Sequence, residues 1–96
     1  MRRDDALKTI DEHKEDLYAL GVKALWLFGS VVRDEATSNS DVDVLVELGR
    51  PMGLFGLGAI QVRLEEILGC RVDLGIRGSI RPELKENIEA EMLRAA

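Results

Sequence analysis

An α/β (α+β) domain is predicted by the alternation of short apolar runs with amphipathic stretches, in the order α-β-(turn)-β-α-β-α. A second observation is the helical stretch between the second and third strands, which permits parallel or mixed pairing there. The loop joining the first two strands is too long for a tight hairpin. A third is composition: 96 residues, 46% hydrophobic and 32% charged, suit one globular domain covering residues 1–96. No internal repeat, linker or low-complexity tract divides it.

The first helix is expected from Asp4 to Leu20. Leu7, Ile10, Leu17 and Leu20 keep helical spacing, although His13 and Lys14 interrupt the stripe. Asp4 and Asp5 suit the positive end of the helix dipole, and Gly21 suits its termination. Lys23 to Phe28 (KALWLF) reads as a buried strand, with Trp26 as core filler between Leu25 and Leu27 rather than a base-stacking ring. Ser30 to Arg33 reads as a short helical turn with Ser30 placed to cap it. Asp34 to Ser40 is a polar loop. Asp41 to Leu48, rich in valine, is a strand expected to be central in its sheet.

Gly49-Arg50-Pro51 breaks that strand. The glycine-rich Met52 to Gly58 contains neither GxxxxGK[ST] nor GxGxxG, so it reads as a flexible lead into a helix. Leu57, Ile60, Leu64, Ile67 and Leu68 mark one face of that helix, and Gly69 closes it. Arg71 to Ile76 is a third strand. Pro82 suits a first helical turn, and Leu84, Ile88 and Met92 give the last helix its buried edge.

Chemistry concentrates in Leu27 to Glu47. A strand runs into the Gly29-Ser30 turn, Arg33 follows, and Ser40-Asp41-Val42-Asp43 opens the next strand. Strand side chains alternate, so Asp41 and Asp43 point the same way. Two such carboxylates repel each other unless a cation lies between them. Magnesium binds one or two carboxylates plus substrate phosphates, and a glycine-serine turn offers N–H groups and a hydroxyl to those phosphates. An EF-hand is excluded, because the glycine and closing glutamate expected after D-x-D are absent. Asp73 sits in an otherwise apolar strand and needs a cation or a hydrogen-bonding network. If the third strand lies beside the second, Asp73 joins Asp41 and Asp43 on one face, and the trio can hold two Mg2+ ions.

Each feature alone fits a structural role equally well or better: a GS turn, a surface arginine, a solvated strand entrance, an edge-strand charge. Their combination points to an active site. Gly29 lets the backbone approach the β- and γ-phosphates, Ser30 donates to phosphate oxygens, and Arg33 meets the triphosphate or leaving pyrophosphate. Ser40 shapes the turn before Asp41.

Gly29-Ser30, Arg33 and Asp41-x-Asp43 fit the G-S-x-x-R…S-D-x-D signature, so the chain resembles the DNA polymerase β-like nucleotidyltransferase superfamily. The short length and Arg71-Val72-Asp73-Leu74 resemble its minimal nucleotidyltransferase (MNT) group. Val31 and Val32 stand where small residues are common in that family. The resemblance implies a compact mixed sheet, here of about three strands, with packed helices in the polymerase β-like nucleotidyltransferase fold. It implies Asp41, Asp43 and Asp73 as metal-binding catalytic carboxylates, with Asp73 orienting and deprotonating the acceptor hydroxyl. It also implies ATP as substrate and transfer of AMP to a tyrosine of a HEPN-domain ribonuclease toxin, which the MNT protein silences as antitoxin.

A contact-only antitoxin is the competing class, with Leu54, Phe55 and Leu57 as a surface; nucleotidyl transfer to a small molecule such as an aminoglycoside is a third. The intact aspartate trio favours catalysis. The small size suits dependence on a partner, in a homo- or hetero-oligomer.

A net charge of −5 disfavours long RNA or DNA as acceptor. The lone Cys70 excludes a disulfide framework and a cysteine-based zinc site, and reads as a buried or boundary thiol. His13 has no histidine partner and reads as a surface residue. No apolar run reaches membrane-span length and MRRDDALK lacks a signal-peptide core, so a cytoplasmic protein is expected.

Overall fold

A computed structural model describes residues 1–37 and 39–96. Helices α1 (Arg3–Glu12) and α2 (Lys14–Ala19) precede strand β1 (Val22–Phe28), which enters a 3₁₀ turn at Gly29–Val31. Strand β2 (Val42–Leu48), helix α3 (Leu54–Leu68), strand β3 (Val72–Ile76), helix α4 (Pro82–Glu91) and strand β4 (Leu93–Arg94) follow. The sheet order is β3-β2-β1-β4, with β2 parallel to β3 and β1 antiparallel to both β2 and β4. This is the expected mixed sheet with β2 inside it, extended by a fourth strand of two residues. Of the loop expected from Asp34 to Ser40, Ser38 lies outside the described residues.

Both faces of the sheet are covered. Leu25, Leu27, Val42, Val44, Val46 and Val72 pack against Ala6, Ile10, Leu17, Ile60, Leu64 and Leu68 from α1, α2 and α3. Ala24, Trp26 and Leu45 face the other way, under Ile80, Ile88 and Met92. Double coverage explains why β1 reads as a continuous apolar run rather than an alternating one. A register shift between Val22 and Ala24 turns Val22 into the same core as Leu25 and Leu27. Trp26 is buried, as its apolar neighbours predicted, and Arg77 and Arg94 lie over its ring.

Several local expectations are corrected. The helix expected from Asp4 to Leu20 is two helices. At His13 the ring Nδ1 takes the Thr9 carbonyl (2.9 Å), and the His13 N–H turns to Ile10 O (3.0 Å). A side chain competing for the i−4 carbonyl interrupts the ladder. Gly56 and Gly58 lie inside α3, which begins at Leu54 rather than after a flexible lead. A Cβ at Gly56 would stand 3.0 Å from both Cβ and Sδ of Met52, so this glycine serves close packing. Ser30 lies within its turn, and no side chain caps it. Leu84 is exposed, because only Ile88 and Met92 reach the Trp26 cluster.

Candidate active site

The site forms where β1 ends and β2 and β3 begin. Phe28, the last residue of β1, is paired with Asp43, and Asp43 is paired with Asp73. Parallel partners at one register position project to the same face of the sheet. Asp41 precedes β2 by one residue and Asp43 by two, so alternation places all three aspartates toward the α4 side. Asp43 is half-buried, while Asp41 and Asp73 are exposed.

Gly29 turns the chain over this cluster. Its φ of +75° is in the left-handed region, and a Cβ would lie 3.1 Å from Asp43 Cγ, with Oδ2 closer still. Only glycine combines that backbone angle with that approach. The Gly29–Val31 turn therefore sits directly on the Asp43 carboxylate.

The carboxylates are under-compensated. Burial pushes the Asp43 carboxyl above the usual range, and the negative charges of Asp73 and Asp41 push it further, against the pull of Arg33. Among the described residues no three carboxylates converge into a ready-made metal cage. The donor set is nevertheless suited to Mg2+, which takes a carboxylate or two from protein and completes its shell with water and substrate phosphate.

Arg33 reaches across to the end of α4. Its Nη1 donates to both oxygens of Glu91 (3.0 and 2.8 Å), and its Nε donates to Glu35 (3.0 Å). The Gly29 N–H donates to Glu91 Oε1 at 2.8 Å. Glu91 thus joins the two groups that sequence reasoning assigns to phosphate. It was missed because nothing local distinguishes it from the other glutamates of α4.

The start of β3 is also held from α3. Glu65 Oε2 accepts the Val72 N–H (3.1 Å), and Gln61 Nε2 donates to the Val72 carbonyl (3.2 Å). These side chains fix the backbone just before Asp73. Their spacing of four along one helix face was the available signal, but their target required the fold. A cavity of about 350 Å³ lined by Asn39, Ser40, Asp41, Cys70 and Arg71 adjoins the cluster. Burial raises the Cys70 thiol, in keeping with an unreactive boundary position.

Residues 7–95 match the family described as nucleotidyltransferase domain. The protein adenylyltransferase MntA of Thermococcus cleftensis is 35% identical over 82 residues, spanning 84% of this chain and 83% of that protein. A solved structure provisionally described as a minimal nucleotidyltransferase superposes with a TM-score of 0.74 at 30% identity, covering 97% of this chain and 95% of the other. The tri-AMPylated Shewanella oneidensis HEPN toxin in complex with MNT antitoxin supplies a chain of the same fold. It has a TM-score of 0.66 and 16% identity, over 94% of this chain and 71% of that one.

Proposed function

The chain belongs to the nucleotidyltransferase domain family, and from this premise we propose that it transfers AMP from ATP to a tyrosine hydroxyl of a HEPN-domain ribonuclease toxin, acting as its antitoxin. The observation that carries the reading is the pairing of Asp43 with Asp73 beneath the left-handed Gly29 turn. It puts paired carboxylates next to a backbone suited to phosphate. The name of the Thermococcus relative supports adenylyl transfer to protein, and the Shewanella complex supports a HEPN toxin as acceptor. Residues 1–96 act in this reading as a single minimal nucleotidyltransferase domain.

Asp41, Asp43 and Asp73 would hold Mg2+, in a two-ion arrangement completed by the triphosphate. When bound, the metal neutralises the charge on the reacting phosphate and on the leaving pyrophosphate. Gly29 N–H and the Ser30 hydroxyl hold the β- and γ-phosphates, and the Arg33 guanidinium meets the charge that develops on pyrophosphate. Asp73, exposed at the edge strand, orients the tyrosine hydroxyl and accepts its proton. The phenolic oxygen bonds to the α-phosphorus as the bond from that phosphorus to the bridging oxygen of the β-phosphate breaks. The products are an adenylylated tyrosine and pyrophosphate.

Leu54, Phe55 and Val62 are 86%, 98% and 57% exposed, and with Leu20 they line an apolar groove. This surface supports assembly with a protein partner. Among the described residues no helix is long and apolar enough to cross a membrane.

The test uses the purified toxin with ATP labelled on either the α- or the γ-phosphate. Label moves to the toxin from the α-position only, and Asp41→Ala with Asp43→Ala stops it. Transfer from the γ-position would mean phosphorylation and would reject the reading.

A further inference from the structure

We propose that Glu91 is a built-in anionic plug, occupying the phosphate subsite of the empty enzyme and leaving it when the triphosphate enters. The inference rests on the nucleotide reading of the Gly29 turn and Arg33. One carboxylate accepts the Gly29 N–H at 2.8 Å and two contacts from Arg33 Nη1 at 2.8 and 3.0 Å. Backbone N–H plus guanidinium is the donor set that recognises a phosphate oxygen, and a carboxylate is the side-chain group that imitates one. The single Gly29 N–H cannot serve Glu91 and a phosphate together, and Arg33 Nη1 is already turned to Glu91.

The position of Glu91 is not explained by the stability of its own helix. It closes the last turn of α4, where the helix dipole disfavours negative charge, and no basic residue lies in that turn. Its compensation comes instead from Gly29 and Arg33, 62 and 58 residues away in sequence.

The plug is also built to move. Helix α4 has no buried residue; it packs on the sheet through Ile88 and Met92, and its end is tied down by β4, so the freedom lies in the Glu91 side chain. The Glu91 and Arg33 side chains are 32% and 47% exposed, so their ion pair is screened and yields to a more highly charged competitor. A triphosphate with its metal has the charge to displace it. A rotamer change at Glu91 is enough; the helix need not unfold.

Because the plug draws the resting population away from the binding-competent state, removing it raises apparent affinity. The experiment is calorimetric titration of the full chain with ATP in Mg2+, and separately with inorganic pyrophosphate. Wild type is compared with Glu91→Gln, which keeps the shape, and Glu91→Ala, which removes the acceptor. Circular dichroism verifies that each is folded. Both variants are expected to bind both probes more tightly, by roughly tenfold. Unchanged or weaker affinity in the folded variants, beside measurable binding by the wild type, would overturn the plug and leave the nucleotide reading standing. No binding by any of the three chains would remove that reading, and the plug with it.

Discussion

Gly29 and Gly69 offer a matched pair of perturbations that separate backbone strain from site geometry. Their φ angles, +75° and +69°, are nearly the same. An alanine at either must enter the left-handed region, at a cost of roughly 1–2 kcal/mol, partly offset by about 0.4–1 kcal/mol from the stiffer unfolded chain. At Gly69, which ends α3, a Cβ meets nothing within 4 Å. Gly69→Ala should therefore cost about 1 kcal/mol and leave transfer intact. At Gly29 the Cβ collides with the Asp43 carboxylate, and forcing the two apart adds about 1–3 kcal/mol. Gly29→Ala should thus lose about 2–4 kcal/mol in total. On the proposed role of Asp43, moving its carboxylate by about 1 Å should also lower the transfer rate on the order of a hundredfold. Trp26 is the sole tryptophan and is buried, so its fluorescence reports unfolding in urea. Equal destabilisation by the two alanines, with equal transfer rates, would refute the placement of Gly29 over Asp43.

Asp43→Asn should abolish transfer yet stabilise the fold at neutral pH, by no more than about 1 kcal/mol after solvent screening, because it removes a charge that burial and the neighbouring Asp73, Asp41 and Glu91 carboxylates oppose. The folded-state pKa of Asp43 is above its unfolded value, so ionisation opposes folding. The advantage of the variant should be full above the raised pKa and vanish as pH falls below the ordinary carboxylate range. Urea midpoints across pH check this, and an advantage that grew on acidification would reverse the sign of the argument. Gln61→Leu should leave the Val72 carbonyl without its partner, cost about 1–2 kcal/mol, and lower kcat more than the KM for ATP, since Val72 precedes Asp73. Leu27→Ala, at a fully buried strand position, should cost about 2–5 kcal/mol; a loss under 1 kcal/mol in the same urea assay would contradict the core assignment.

The three main strands were legible because each is a run of apolar residues bounded by turn formers. The shared face of Asp41 and Asp43 followed from alternation alone. Asp73 needed one more fact, that β3 lies beside β2, which the intervening helix permitted without requiring. Features made by distant contacts were not legible. Strand β4 has only two residues, and its edge is completed by bonds such as Ala95 N–H to Leu25 O at 2.8 Å. The break at His13 depends on which group takes the Thr9 carbonyl, a competition that hydrophobic spacing does not record. Gly56 looked like a source of flexibility because the Met52 side chain that packs on it is known only from the fold. Glu91 is one of several glutamates on α4, and only tertiary contact with Gly29 and Arg33 distinguishes it.

The most direct test of the central claim is intact-mass spectrometry of the HEPN toxin after incubation with this protein, ATP and Mg2+. A parallel reaction contains the Asp41→Ala, Asp43→Ala double variant. The account predicts mass gained in whole adenylyl units, loss of toxin ribonuclease activity, and neither change with the double variant. Unmodified toxin that is nonetheless silenced, equally by wild type and by the double variant, would contradict it and identify a protein that neutralises by contact alone.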